Sequence, residues 1–171
     1  MIFRQLGEPV SNTYTYLLGC ETSGKAMLID PVINSIDRDL QVLQSLGLTL
    51  VYTLDTHIHA DHITAARQLR ARVGSRIAAP AFDRMPCVDV GIVEAVPFEL
   101  GGIKLEPLHT PGHTDGHFAY RCNDRLCSGD ALLIDGCGRT LVENRCCGEC
   151  PQNLPEQMRK YCEQMAESPQ G

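Results

Sequence analysis

The chain has 171 residues, with 15 basic and 21 acidic side chains and a formal net charge of −6. A chain of this length folds around a single core, and the lack of a basic stripe argues against nucleic acid as a partner. No apolar run approaches the roughly 20 residues that a membrane span needs. The first residues carry neither the apolar stretch of a signal peptide nor an Arg/Ser-rich transit sequence. These features predict a cytoplasmic protein without a membrane partner.

Strand-type runs precede and separate two helix-type segments. Apolar spacing predicts helices over residues 35–46 and 63–73, and Gly47 ends the first of them. Because strands both precede and separate the helices, the pattern predicts a layered α/β sandwich and not an all-parallel doubly wound sheet. The predicted strands cover residues 2–6, 13–18, 26–30, 50–54, 76–79, 93–98, 103–108, 117–121 and 125–127.

The densest chemical motif is His57-Ile58-His59-Ala60-Asp61-His62, which directly follows a predicted strand and contains three of the six histidines. Neutral imidazole is the commonest transition-metal ligand, and mixed nitrogen and oxygen sites hold zinc, iron or manganese. The chemistry of α/β sheets lies at the carboxyl ends of their strands. The motif therefore predicts a metal site on this loop.

Two further candidate ligands also follow predicted strands. His113 lies in the sequence TPGHT, and Asp130 follows a strand through a tight turn. The candidate ligands thus arrive from three separate strand ends, as is usual in α/β sites. His109 and His117 each flank a strand, and we interpret them as structural histidines whose ring nitrogens have partners.

Nine cysteines, an odd number, are spread along the chain, which predicts reduced thiols in a cytosolic protein. Cys147-Gly148-Glu149-Cys150 has the spacing of half a zinc site or of a redox pair. Structural zinc takes four ligands, and no second pair follows this one, which argues against zinc there. Residues 141–171 have no strand pattern, and an apolar stripe predicts one short helix, formed by Leu154, Met158, Tyr161, Cys162 and Met165.

With these residues in place, the chain resembles the metallo-β-lactamase superfamily, whose pattern is H-x-H-x-D-H, a distant His and an Asp at a strand end. More closely, it is similar to the glutathione-dependent persulfide dioxygenases. The resemblance covers residues 2–140 and implies an α/β fold, the metallo-β-lactamase αββα sandwich, with its second half incomplete. The matching stretches are residues 13–18, 28–32, 56–64 (THIHADHIT), 110–114, 128–134 and 136–140 (GCGRT).

The resemblance implies that His57, His113 and Asp130 hold one Fe²⁺. Two histidines and one carboxylate on one face leave open positions on iron, as oxygen chemistry requires. The implied substrates are glutathione persulfide and O2, and the implied products are sulfite and glutathione. The resemblance further implies that His59, Asp61 and His62 orient the ligands or form a second metal site, and that Asp30 gives structural support. Arg139 is either an anion contact for substrate or an ordinary surface arginine.

Two alternative functions stay open: a zinc-dependent thioester hydrolase of the glyoxalase II type, and a non-catalytic remnant that keeps a metal. After Thr140 the sequence departs from the family pattern, as a truncated gene or a shifted reading frame would produce. We therefore predict a metallo-β-lactamase-type domain over residues 1–140 and a divergent tail over residues 141–171. Because family groups beyond this point help to hold glutathione, the resemblance also predicts weak turnover. A homodimer stays open.

Overall fold

Two β-sheets pack face to face, with two helices on the outer face of the first sheet. The computed structural model describes residues 1–133, 136 and 138. The predicted α/β sandwich is confirmed: two sheets form adjacent layers, and helices cover the outer face of the first. In this part of the chain, no helix is both long and apolar enough to cross a membrane.

The first sheet has six strands. The two helices connect its third strand to its fourth and its fourth strand to its fifth. Its elements are β1 (Ile2–Glu8), β2 (Thr13–Cys20), β3 (Lys25–Ile29), α1 (Ile36–Ser45), β4 (Thr49–Leu54), α2 (Ala66–Val73), β5 (Arg76–Pro80) and β6 (Val90–Ile92). Strands β1 to β3 pair antiparallel, and β3 to β6 pair parallel, in sequential order. Helices α1 and α2 form the crossovers that parallel neighbours require.

The helix predicted from residue 63 begins only at Ala66. The backbone of Thr64 forms an isolated β-bridge with Val32, and the amide of Ile33 donates to the carbonyl of Ile63 at 2.9 Å. These contacts hold residues 63 and 64 in extended backbone next to the end of β3, which prevents the helix from starting earlier.

The second sheet has four antiparallel strands, β7 (Phe98–Leu100), β8 (Ile103–His109), β9 (Phe118–Cys122) and β10 (Arg125–Cys127), in the order β10-β9-β8-β7. The prediction of one strand over residues 93–98 is wrong. The chain turns there, because Ala95 has a φ of 60° and the amide of Val96 donates to the carbonyl of Val93 at 3.3 Å. A residue in the left-handed region interrupts strand geometry. The apolar run is therefore divided between β6 and β7.

Alternation along the central strands buries both faces of the first sheet. Leu17 and Leu28 pack on the helix side, whereas Leu18 and Met27 face the second sheet, where Tyr120 of β9 belongs to the same cluster. All five side chains are fully buried. Burial of one such leucine contributes about 1.5–3 kcal/mol. This two-sided packing fixes the ends of β3 and β4, from which candidate ligands extend.

Several predictions concern residues outside the described part of the chain. They are the role of Arg139, the boundary after Thr140, the short helix within residues 141–171 and the cysteine pair Cys147 and Cys150. These stay predictions.

Candidate metal centre

Four strand ends supply the polar side chains of the candidate centre. Asp30 directly follows β3, and the loop with His57 follows β4. His113 follows β8, and Asp130 follows β10 in a short 3-10 turn, Gly129–Ala131. The centre thus receives side chains from both sheets.

The structure brings together the three residues predicted to bind iron. His57, His113 and Asp130 each offer a ligand atom, and these atoms lie within 4.8 Å of one another. Nε2 of His113 is 3.4 Å from Oδ2 of Asp130. The rings of His57 and His113 are nearly perpendicular, with centroids 4.9 Å apart. Metal binding by this group stays a prediction.

The hydrogen bonds of Thr56 determine which nitrogen of His57 carries the lone pair. The Thr56 hydroxyl donates to Oδ2 of Asp30 at 2.9 Å, and the Thr56 amide donates to Oδ1 of Asp30 at 2.7 Å. Since a hydroxyl has only one proton to donate, the contact of 2.9 Å between its oxygen and Nδ1 of His57 requires a proton on Nδ1. Nε2 of His57 therefore carries the lone pair.

Burial keeps His57 neutral. Its side chain is almost fully buried, and burial, with the nearby charge of His59, lowers the pKa of His57 to about 3. Nε2 of His57 has no hydrogen-bond partner among the described residues. A buried lone pair without a donor is costly, whereas neutral imidazole nitrogen is a good metal ligand. The donor set and this unpaired nitrogen fit a transition-metal ion.

Asp30 supports the histidine-bearing loop after β4 from a strained position. Its φ of 50° lies in the left-handed region, which is uncommon outside glycine and clusters at functional sites. Nε2 of His59 is 3.1 Å from Oδ1 of Asp30. Burial alone would raise the pKa of Asp30, but the charge and hydrogen bond of His59 hold it below its ordinary value. In turn, burial opposes the charge of His59, but Asp30 raises the pKa of His59 to about 9.

A second group of candidate ligands lies on the same loop, formed by His59, Asp61 and His62. Nδ1 of His62 is 3.1 Å from Oδ2 of Asp61, and the Thr13 hydroxyl lies 3.3 Å from that nitrogen. Nε2 of His62 is buried and has no hydrogen-bond partner among the described residues. The geometry is consistent with both predicted roles, orientation of the ligands and a second metal site.

His117 differs from its prediction, whereas His109 agrees with it. The ring of His109 reaches the carbonyl of Asp115 at 2.8 Å. Nδ1 of His117 is 2.7 Å from the Thr110 hydroxyl, but its buried Nε2 has no hydrogen-bond partner among the described residues. Burial lowers the pKa of His117 to about 4, and its ring stacks on that of His57 with centroids 4.9 Å apart. His117 thus forms one wall of the centre.

Thr56 and Gly129 shape the candidate centre, although sequence reasoning assigned no role to either. Gly129 has a φ of 50°, and a Cβ there would lie 2.5 Å from the Thr56 hydroxyl oxygen and 2.8 Å from Nε2 of His117. Only glycine fits this close approach. The available signal was position, because Thr56 follows a strand and precedes a candidate ligand, and Gly129 precedes Asp130.

A cavity of ≈ 700 Å³ opens beside the centre, between the β1–β2 hairpin and the turn after β10. Its volume is in the range of small-molecule sites. Hydroxyl groups, apolar side chains and the candidate ligand Asp130 line this cavity. Its lining includes Thr13, Tyr14, Tyr16, Ser128, Asp130 and Leu132.

Comparison with known proteins identifies the class of this fold and site. Residues 9–91 match the metallo-beta-lactamase superfamily. The crystal structure of ETHE1 from Myxococcus xanthus superimposes with a TM-score of 0.80 and 45% sequence identity, over 84% of this chain and 64% of that chain. Residues 9–91 thus carry a metallo-β-lactamase domain match, and the described residues have the metallo-β-lactamase fold.

Within the superfamily, the chain is similar to persulfide dioxygenases, as its sequence predicted. It is 42% identical to the mitochondrial persulfide dioxygenase ETHE1 of Homo sapiens over 154 residues, which are 85% of this chain and 58% of the relative. It is also 36% identical to a hydroxyacylglutathione hydrolase of Rhodospirillum rubrum over 134 residues, which are 76% of this chain and 52% of that relative. The chain thus spans little more than half of the length of these curated relatives.

Proposed function

We propose that this chain is the metal-binding part of a persulfide dioxygenase that uses Fe²⁺ and O2 to oxidise glutathione persulfide to sulfite and glutathione. The observation that carries the proposal is the group of His57, His113 and Asp130, whose ligand atoms lie within 4.8 Å of one another. The similarity to the human and Myxococcus xanthus proteins supports it. Two histidines and one carboxylate form the ligand set typical of non-haem iron oxygenases.

The residues of the chain position the ligands. Thr56, held by Asp30, keeps the lone pair of His57 on Nε2, and burial keeps that imidazole neutral. Gly138 donates its amide to the carbonyl of Asp130 at 2.6 Å and so fixes the turn that carries this carboxylate. When bound, Fe²⁺ would supply the redox chemistry that passes electrons from the terminal sulfur of the persulfide to O2.

The cavity beside Asp130 is the proposed entry for the substrate. It reaches the candidate ligand Asp130 and the second group through His59 and Asp61. His59, Asp61 and His62 would orient ligands and water, since groups around a metal centre typically act in this way. Arg139 stays a predicted anion contact. The mammalian relatives are named as mitochondrial, whereas a cytoplasmic location of this chain stays a prediction.

Metal analysis combined with oxygen uptake tests the proposal. The chain is purified, loaded anaerobically with Fe²⁺, and assayed with glutathione persulfide in an oxygen electrode, with sulfite measured in parallel. One iron per chain, with slow oxygen consumption coupled to sulfite formation, is the expected result, because the resemblance predicts weak turnover for this chain. Stoichiometric iron without persulfide-dependent oxygen uptake would refute the proposed activity of this chain and would favour a non-catalytic metal-binding remnant.

A second candidate function is zinc-dependent thioester hydrolysis. The group of His59, Asp61 and His62 favours it, because this group could hold a second metal ion, and the similarity to the Rhodospirillum rubrum hydrolase is consistent with it. Two zinc ions per chain and hydrolysis of a glutathione thioester without oxygen uptake would establish this function in place of the first.

A further inference from the structure

Asp55 is a buried carboxylate to which the proposed function assigns no role. It directly follows β4 and is 4% exposed. Its carbonyl accepts a hydrogen bond at 2.8 Å from the hydroxyl of Tyr120, which belongs to the second sheet. Its amide donates to the carbonyl of Ala78 in β5 at 3.2 Å. Asp55 is thus held by both sheets at the point where the loop with the candidate ligands begins.

Thr64 occupies the other end of that loop. Its hydroxyl donates to Oδ1 of Asp55 at 2.9 Å and accepts a longer hydrogen bond, 3.4 Å, from the amide of Ala66 at the start of α2. Its backbone pairs with Val32. The hydrogen bond between Asp55 and Thr64 therefore closes the eight residues 56–63 into a loop whose two ends are both anchored.

The closed loop carries His57, His59, Asp61 and His62. Asp55 also contacts its interior, because Asp30, Asp55 and His59 each place a polar atom within 4.8 Å of the other two. A ligand-bearing loop binds metal more tightly when its side chains are held in the bound geometry before the ion arrives. The side-chain hydrogen bond across the loop supplies such a restraint.

The geometry points to Asp55 and Thr64 as positioning residues, which clamp the loop of residues 56–63 so that its ligands are held ready for a metal ion. This inference rests on the proposed metal site and not on the oxidation of persulfide. Groups that orient metal ligands typically change metal affinity about 10–100-fold when they are lost. We expect an effect of this size from removal of the Thr64 hydroxyl.

Thr64→Val removes the hydroxyl and keeps the branched shape, whereas Thr64→Ser keeps the hydroxyl. The matched control is Thr53→Val, at a fully buried threonine of β4 outside the loop. Zn²⁺ affinity is measured for the full chain by competition with a chromophoric chelator, and the absorption spectrum of the Co²⁺-loaded chain reports the ligand geometry. We expect Thr64→Val to bind Zn²⁺ about 10–100-fold more weakly and to change the Co²⁺ spectrum, and Thr64→Ser and Thr53→Val to resemble the wild type.

Equal Zn²⁺ affinity and equal Co²⁺ spectra for Thr64→Val and the wild type would overturn the proposed role of Asp55 and Thr64. An equal loss of Zn²⁺ affinity in Thr53→Val would overturn it as well. Should Thr64→Val fail to fold, as judged by circular dichroism, Thr64→Ala takes its place. Failure of both variants to fold would show that the hydrogen bond supports the whole fold, which also overturns the proposal. A chain that binds Co²⁺ but does not oxidise glutathione persulfide when it is loaded with Fe²⁺ would refute the proposed function. The proposed clamp would still be decided by these affinities.

Discussion

Replacement of Thr56 by valine tests the network behind His57 most directly. The substitution keeps the branched shape but removes the hydroxyl that donates to Asp30 and accepts from His57, each at 2.9 Å. Thr56 is fully buried and His57 is 1% exposed, so water cannot replace the lost contacts easily. The Thr56 amide still donates to Asp30. Nδ1 of His57 and Oδ2 of Asp30 therefore both lose their hydrogen-bond partner, because the amide reaches Oδ1 of Asp30.

An unpaired buried polar group costs about 1–3 kcal/mol. Because two such groups are left, we expect the free energy of unfolding of the metal-free chain to fall by at least this amount. Loss of the acceptor on Nδ1 also removes the preference for a lone pair on Nε2. We therefore expect Zn²⁺ affinity to fall about 10–100-fold.

Chemical denaturation measures the first quantity, and competition with a chelator measures the second. Thr56→Ser, which keeps the hydroxyl, is the control. If Thr56→Val and Thr56→Ser bound Zn²⁺ equally well, the hydroxyl would not orient His57, and this reasoning would be refuted.

Three further predictions concern the ligands and the pH dependence of stability. His113→Ala should abolish metal retention, measured as iron per chain after gel filtration, because two remaining ligands rarely hold a labile divalent ion; unchanged iron would contradict the assignment. His62→Ala should weaken iron binding less than His57→Ala in the same measurement, and equal losses would favour a two-metal site. Asp89 accepts the Ile77 amide at 2.7 Å, which with Arg70 holds the pKa of Asp89 below its ordinary value. The stabilising contribution of Asp89 is therefore present above the ordinary pKa of about 4, and it is lost as the pH falls through the lower pKa of the folded state. The denaturation midpoint of Asp89→Asn should therefore fall less steeply in acid than that of the wild type.

Strand ends and residue types predicted which segments come together, whereas the family resemblance supplied the choice of His57 within its loop. His57, His113 and Asp130 each follow a short apolar run, and the structure places the three within one small volume. Alternation of apolar residues also predicted the strands that bury Leu17 and Leu18 on opposite faces. Both predictions use local signals, the period of a strand and the residue that follows it, and such signals are present in a single sequence.

Interactions between distant residues were not predictable in the same way. The hydrogen bonds of Thr56 depend on the φ of 50° at Asp30, a backbone conformation that no local pattern marked. The strand predicted over residues 93–98 failed for a related reason, since Ala95 adopts the left-handed region although alanine does not favour it. In neither case does the pattern of residue types mark the residue whose backbone enters the left-handed region.

The distribution of ligands over two sheets links metal binding to the stability of the fold. His57 extends from the first sheet, and His113 and Asp130 extend from the second. An ion bound by all three would connect the sheets at the edge where Tyr120 already donates to the carbonyl of Asp55. A ligand that binds only the folded state stabilises it by about 2.7 kcal/mol when present at 100 times its dissociation constant. Because this gain requires ligands from both sheets, it depends on how the sheets pack. The buried cluster between the sheets therefore supports the proposed metal site by holding its ligands at the right separation.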